Sequence, residues 1–383
     1  MKKIVTPLII VALLFTTAFL PACNRYTYVG IENLVSQDYD WTRFQDDNIT
    51  LNIFNWGEYI AQGSGGEDGI MDVIREFTAL TGIRVNYTTY DTNESLFANL
   101  IPGDIAYDVV FPSDYMVGRL VHNNMLRPLN FDNIPNIRNI DPDFRNMEFA
   151  PYDAFAVPYT WGTVVLIYNS AYVDTPTSWD VLWNEDNSGQ IVMIDNSRDA
   201  FAIAQLLLGY SVNTENEDEL ISAAIKLFDQ RGLVQRYAMD EVFNIMVGGE
   251  AWFAIYYAGD AITMMEANPD LNAVVPNEGS NMFVDFMVIP AVSRNPEAAE
   301  MFINFMLEAH VAAATAEFIG YATPNAAAYP LIDAELRNNP LFNPPYEVIA
   351  KTFPNIFLNQ PEHINEKIAT LWNDLRAGNR PGN

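Results

Sequence analysis

Five short segments concentrate the residues able to do chemistry. They are Trp56-Gly57-Glu58-Tyr59, Pro112-Ser113-Asp114-Tyr115, Asp195-Asn196-Ser197-Arg198-Asp199, Tyr257-Ala258-Gly259-Asp260, and Phe283 with Asp285. Aromatic faces and carboxylates dominate them, and Arg198 is their single arginine. Such a set suits an organic cation. Carboxylates accept from its N–H groups, aromatic faces attract its charge, and flat apolar walls cover its methylene stem. Nucleophilic catalysis finds little support. One cysteine (Cys23) and three scattered histidines (His122, His310, His363) form no Ser/His or Cys/His constellation and no clustered zinc or copper site. No cofactor and no metal is expected. Gly63-Ser64-Gly65-Gly66 lacks the Gly-Lys-Ser/Thr ending of a phosphate loop and reads as a turn. One enzymatic alternative stays open: Asp199, Asp260 and Asp285 could imitate the facing carboxylates of a secreted glycoside hydrolase.

The elements that must position these residues come next. Leu51–Asn55 is an apolar run that reads as a strand. Ile70, Val73, Ile74, Phe77 and Leu80 recur at helical spacing until Gly82. Ile83, Val85 and Tyr87 alternate as a second strand, a helix over 94–100 follows, and 108–111 reads as a buried third strand. Strand, helix, strand, helix, strand is the signature of an open, mostly parallel α/β sheet. The second half repeats it less regularly, with strands expected over 164–168, 191–194, 251–256 and 286–289. Helices are expected over 200–209, 217–230, 260–267, 302–308 and 311–318, with Thr214 and Glu217 as a capping box for the second. Open α/β sheets bind ligands beyond the carboxyl ends of their strands, which is where the five segments fall.

Length and charge set the outer bounds. The 383 residues are enough for two to three domains, and half of them are hydrophobic, as in a globular chain. Twenty Lys and Arg against 49 Asp and Glu leave a net charge of −29. That surface repels phosphate backbones, so nucleic acid is not an expected partner. At the start, Lys2 and Lys3 precede an apolar stretch that ends in Leu20-Pro21-Ala22-Cys23. This order reads as an export signal over 1–22. The polar stretch behind it, 23–47, reads as a tether.

Four motifs carry a resemblance. Asn55-Trp56-Gly57-Glu58-Tyr59, Tyr107-Asp108-Val109-Val110-Phe111-Pro112-Ser113, Pro158-Tyr159-Thr160-Trp161-Gly162 and Ile319-Gly320-Tyr321-Ala322-Thr323-Pro324-Asn325 appear in this order. Together they resemble the spermidine/putrescine-binding proteins of bacterial polyamine ABC transporters, and the likeness runs from Asn48 to Gly378. Leu-Pro-Ala-Cys likewise resembles the bacterial lipoprotein box, with Cys23 lipidated after cleavage. The resemblance implies a two-lobed type II periplasmic-binding-protein fold of class α/β. Each lobe would be a mixed, mainly parallel sheet flanked by helices, with a hinge and a central cleft. Lobe one would hold 48–158 plus 283–330, and lobe two 159–282 plus 331–383. It implies a monomeric, lipid-anchored carrier on the extracytoplasmic side that captures a polyamine and delivers it to an ABC permease. A polyamine sensor on the same fold is a further reading.

Carried over position by position, Trp56, Tyr59 and Tyr115 match aromatics that box the alkyl chain, and Ser113 matches a polar contact. Tyr257 and Phe283 stand where the family often has tryptophan. Asp285 matches the carboxylate that holds an amine near the centre, and Asp199 an acidic residue at one end. Asn196 replaces an aspartate of spermidine binders, Asp260 matches an aspartate of putrescine-type members, and the balance tilts towards a diamine. Tyr321 falls near a tyrosine contact and Asn373 near a glutamine contact. Taken singly, Trp56 and Tyr115 would be packing residues, and Asp195 or Asp199 a helix N-terminal charge. Asp285 is different, because it interrupts the apolar run 282–289 and an unpaired buried carboxylate there costs several kcal/mol. No lysine occurs between Lys226 and Lys351. Arg198 is the rival partner, expected instead to orient Asp199 or brace the cleft.

Overall fold

The computed structural model describes residues 30–63, 70–101, 103, 105–145 and 153–381. The export signal over 1–22 and the lipidation site Cys23 lie outside the described residues.

The first lobe opens with β1 (Thr50–Trp56), α1 (Val73–Thr81), β2 (Arg84–Tyr90), α2 (Asn93–Leu100), β3 (Val109–Val110) and α3 (Asp114–His122). Asp72 caps α1 through its side chain and left-handed Gly82 ends it. β2 and β3 both pair with β1 in parallel, as the strand, helix, strand, helix, strand order predicts. Then β4 (Ala156–Asn169) runs for 14 residues, nearly all buried. The second lobe adds β5 (Ile191–Ile194), α4 (Ser197–Leu208), α5 (Glu217–Gln230), β6 (Val234–Ala238), α6 (Val242–Val247), β7 (Phe253–Tyr257), α7 (Ala258–Ala267) and β8 (Leu271–Val274). After β9 (Met282–Val288) come α8 (Pro296–Met306), α9 (Ala309–Ile319), α10 (Ala334–Arg337), α11 (Tyr346–Thr352) and α12 (Glu362–Ala377).

The strand order is β2-β1-β3-β9-β4-β7-β5-β6, with β8 on the side against β4. Two parallel blocks, β2-β1-β3 and β7-β5-β6, meet through antiparallel β9 and β4. β4 is the link. Its first half, Ala156 to Thr163, pairs with β9, and from Val164 onward it pairs with β7. Each lobe has its own core. Ile53, Phe77, Phe302 and Phe305 centre the first, and Leu166, Trp179, Phe201 and Leu375 the second. A further cluster joins them, with Phe54 and Tyr115 meeting Ala202, Ile356 and Phe357.

Several expectations need correcting. Residues 30–47 are not a free tether: Ile31, Val35 and Trp41 are buried in the first lobe's core, Trp41 meets Phe305 edge-on at 5.9 Å, and Ser36 N–H donates to Glu308. The cap of α5 is Asn216, whose side chain accepts from Asp218 N–H, while Thr214 Oγ1 donates to Glu219 instead of engaging Glu217. α8 begins at Pro296, six residues before the apolar run that signalled it, because proline suits the first helical turn. β6 and β8 are short and partly exposed, so neither shows the apolar run of a buried strand.

Candidate functional site

The carboxyl ends of the strands and the starts of three helices enclose a cavity of ≈ 300 Å³. Trp56, Tyr59, Ser113, Tyr115, Asn196, Asp199, Tyr257, Asp260, Phe283, Asp285 and Tyr321 all line it. Asn373 does not. α12 turns Ile364, Ile368, Leu371, Trp372 and Leu375 to the core, which leaves Asn373 exposed on the opposite face. A buried glutamine does stand behind the wall, Gln360, just ahead of α12.

α3, α4 and α7 each start at the cavity and each carries an aspartate in its first turn: Asp114, Asp199 and Asp260. The positive ends of these helices favour those charges. Asp285 sits apart, in the middle of β9, where every residue is buried. Three of the cavity's carboxylates share one motif. Tyr59 Oη donates to Asp285 Oδ2 at 2.7 Å, Tyr257 Oη to Asp199 Oδ2 at 2.9 Å, and Tyr321 Oη to Asp260 Oδ2. Tyr59 is itself held from behind by Thr160 Oγ1 at 2.5 Å. Asp285 Oδ1, by contrast, is buried with no hydrogen-bond partner of good geometry. Asp114 spends both its oxygens on backbone N–H groups, those of Tyr115 and Val284.

Burial governs the proton affinities. It pushes Asp285 up to about 6, against the hydroxyls of Ser113 and Tyr59. Burial likewise pushes Asp199 and Asp260 up to about 7, each only partly offset by its tyrosine. Asp114 is carried to about 8, mainly by burial and also by the nearby Asp285. Desolvation disfavours each charge until a cation compensates it.

The walls are aromatic. Trp56 Nε1 donates to Phe111 O at 2.8 Å, which fixes its ring beside Tyr90. Phe283 meets Tyr257 edge-on at 5.5 Å and lies 6.1 Å from Tyr321. A Cβ on Gly259 would overlap the Tyr321 ring, so glycine is required where α7 closes against the end of α9. Ser113 Oγ accepts from Asn93 Nδ2 at 3.0 Å, and Tyr115 Oη donates to Glu94 at 3.0 Å. Asn196 is the N-cap of α4: its oxygen accepts from Arg198 N–H, and its amide donates to Tyr257 Oη at 3.3 Å.

Arg198 braces the cleft. Its guanidinium lies 4.9 Å from the Tyr115 ring centre and 4.6 Å from that of Phe357, and it donates to Gln360 and to Asn213. It makes no ion pair with Asp285. Asp195 lies outside the cavity and pairs with Arg376 at 3.1 Å. Sequence reasoning missed other lining residues, among them Tyr90, Asn93, Asn281, Phe357, Asp91 and Asp240. Seven carboxylates and one cation line this cavity, which is the charge balance of a site for a cation. Among the described residues no group of three or more His, Cys, Asp or Glu is placed to hold a metal ion.

Residues 72–344 match the family described as bacterial extracellular solute-binding protein. The chain is 35% identical over 307 residues to the spermidine/putrescine-binding periplasmic protein of Escherichia coli (strain K12), covering 79% of this chain and 86% of that protein. It is 30% identical to the putrescine-binding periplasmic protein SpuD of Pseudomonas aeruginosa, over 87% of this chain and 93% of that one. The crystal structure of the spermidine/putrescine ABC transporter substrate-binding protein PotD from Streptococcus pneumoniae superposes with a TM-score of 0.71 at 32% identity, covering 86% of this chain and 99% of that one.

Proposed function

The chain belongs to the bacterial extracellular solute-binding protein family, and we propose that its solute is a polyamine. One observation carries this reading. Asp199 and Asp285, both buried, and half-buried Asp260 each take a tyrosine hydroxyl on one oxygen, and Asp285 keeps its other oxygen buried without a hydrogen bond of good geometry. An ammonium set beside that oxygen supplies the missing donors and compensates the buried charge. Trp56, Tyr115, Tyr257 and Phe283 cover the alkyl chain between amines, and Ser113, Asn196 and Tyr321 complete the lining. Recognition needs no covalent step. A glycoside hydrolase finds no support, because the relatives are binding proteins and each carboxylate is engaged by a fixed tyrosine.

In this reading the protein is exported, anchored through a lipid on Cys23, and works as a monomer on the extracytoplasmic side. It hands its cargo to an ABC permease, and the lobes hinge about β4 and β9. Calorimetric titration of the leaderless protein with putrescine, cadaverine, spermidine, spermine and glycine betaine tests it. Heat with polyamines and none with glycine betaine is the expected pattern. No heat with any polyamine overturns the reading.

A further inference from the structure

The strand β4 changes register in the middle of its pairing with β9. Pro158 stands opposite Phe286 and Thr160 opposite Asp285, so Tyr159 is an extra residue, a β-bulge. Proline suits such a place because it has no N–H to lose from the ladder. Consecutive side chains of a regular strand point to opposite faces. Here Tyr159 and Thr160 both reach the same residue, Tyr59. Tyr159 Oη donates to the Tyr59 carbonyl at 2.6 Å, and Thr160 Oγ1 lies 2.5 Å from the Tyr59 hydroxyl. Neither residue lines the ligand cavity, and both are buried behind it. The turn that carries Tyr59 needs such support, because Glu58 sits at φ 49°, a left-handed conformation unfavourable for a residue with a Cβ.

Proton count fixes the direction of the hydroxyl chain. A phenol carries one proton. Tyr59 gives its proton to Asp285 Oδ2, and burial together with the charge of Asp285 keeps that phenol protonated. The Thr160 hydroxyl is therefore the donor in its contact with Tyr59. The relay runs from Thr160 to Tyr59 to Asp285, and receiving a bond makes the Tyr59 hydroxyl a stronger donor to the carboxylate. Ser113 and Asp114 also act on Asp285, from the start of α3, and a change at position 160 leaves them in place.

We propose that the Tyr159–Thr160 bulge is a clamp on Tyr59, and that Thr160 is a positioning residue that commits the Tyr59 proton to Asp285. The clamp thereby sets how strongly Asp285 holds a ligand's ammonium. The proposal deepens the polyamine reading and rests on it. Tyr159 pins the main chain of Tyr59 and Thr160 pins its hydroxyl, so one irregularity in one strand fixes both ends of the residue. A straight β4 would present only one of the two.

The test compares leaderless wild type, Thr160→Val, Thr160→Ser and Tyr159→Phe, and Tyr59→Phe with and without Thr160→Val. Carbon NMR follows the titration of the Asp285 carboxyl without ligand, and calorimetry measures putrescine at neutral pH. Thr160→Val keeps the shape and loses the hydroxyl. It is expected to raise the Asp285 titration midpoint and to weaken putrescine about fivefold, with Thr160→Ser within about twofold of wild type. Tyr159→Phe keeps its ring and is expected to weaken putrescine about threefold. In the Tyr59→Phe background, Thr160→Val should change affinity by less than about twofold, because the relay is already cut. A role in packing alone predicts the reverse order, with serine the worse substitution and the titration unmoved. That order overturns the clamp, as does a Thr160→Val variant like wild type in both measurements, or an undiminished effect in the Tyr59→Phe background. A wild type that binds no polyamine sinks the polyamine reading instead, and the ligand-free titration still judges the clamp.

Discussion

Tyr59 Oη donates to Asp285 Oδ2 at 2.7 Å, while Oδ1 of the same carboxylate is buried without a hydrogen bond of good geometry. One half of the group is thus held by the fold and the other half is open to a ligand. Asp285→Asn is expected to weaken polyamine binding about tenfold or more, because an amide cannot compensate an ammonium. The same change removes a buried charge, so the ligand-free melting temperature should hold or rise. Calorimetry and thermal melts measure the two effects. Unfolding with unchanged affinity in the folded fraction would refute this assignment.

Trp56→Ala removes a ring fixed by its bond to Phe111 and is expected to cost a similar factor in affinity. Asn373→Ala serves as the control, since the exposed face of α12 is remote from the cavity, and its affinity should match the wild type. A loss at Asn373 equal to that at Trp56 would mean that the ligand lies elsewhere.

Acidity should act in opposite directions on the free protein and on its complex. Asp199 and Asp260 near 7 and Asp285 near 6 are all raised above the ordinary 3.8 by burial. Below their folded values these groups bind protons that the unfolded chain does not yet bind. Their contribution to the stability of the ligand-free protein therefore grows as pH falls from about 8 to about 5. Polyamine affinity should fall over the same interval, because cations compete with those protons. Melting temperatures with and without spermidine across this window give the check: the ligand-induced shift should shrink as the baseline rises.

Arg198→Lys keeps a positive charge but loses the planar group set against both the Tyr115 and the Phe357 rings, and one of its two donor contacts. A loss of about 1–3 kcal/mol in urea unfolding is expected. Affinity should fall with it as Tyr115 loosens. A variant as stable as wild type would show that the cation–ring contacts contribute nothing.

Gly259→Ala places a methyl where the Tyr321 ring lies, at the contact between α7 and the end of α9. The lobes should then close incompletely. The expected signs are a larger ligand-bound radius of gyration by X-ray scattering and affinity reduced about tenfold or more.

Part of the site was legible in the residues and part was not. Asp285 stood out because a carboxylate within a continuous apolar run violates the pattern of a buried strand. Trp56, Tyr115 and Asp260 could be found because strand ends and helix starts mark where an open sheet meets its ligand. The pairing of each aspartate with its tyrosine was invisible, since Tyr59 and Asp285 lie 226 positions apart and only the sheet order joins them. Asn373 failed for a simple reason: motif spacing does not say which face of α12 the core claims. Asp240 looks like an ordinary solvated charge until the turns after β1 and β6 meet across the mouth. Likewise β6 escaped because an edge strand needs no apolar alternation.

The strand β4 has a consequence for anyone wishing to cut the molecule apart. Because one uninterrupted segment closes the sheet of both halves, neither half can be excised without tearing open a hydrogen-bonded ladder. A fragment ending before Val164 leaves β3 and the first half of β4 without β9, and one starting there strips β9 of both its neighbours. Each would present bare backbone to other chains, an invitation to stick together. Recombining halves from different relatives should succeed only when the crossover falls outside 156–169, so that this shared rib is inherited whole.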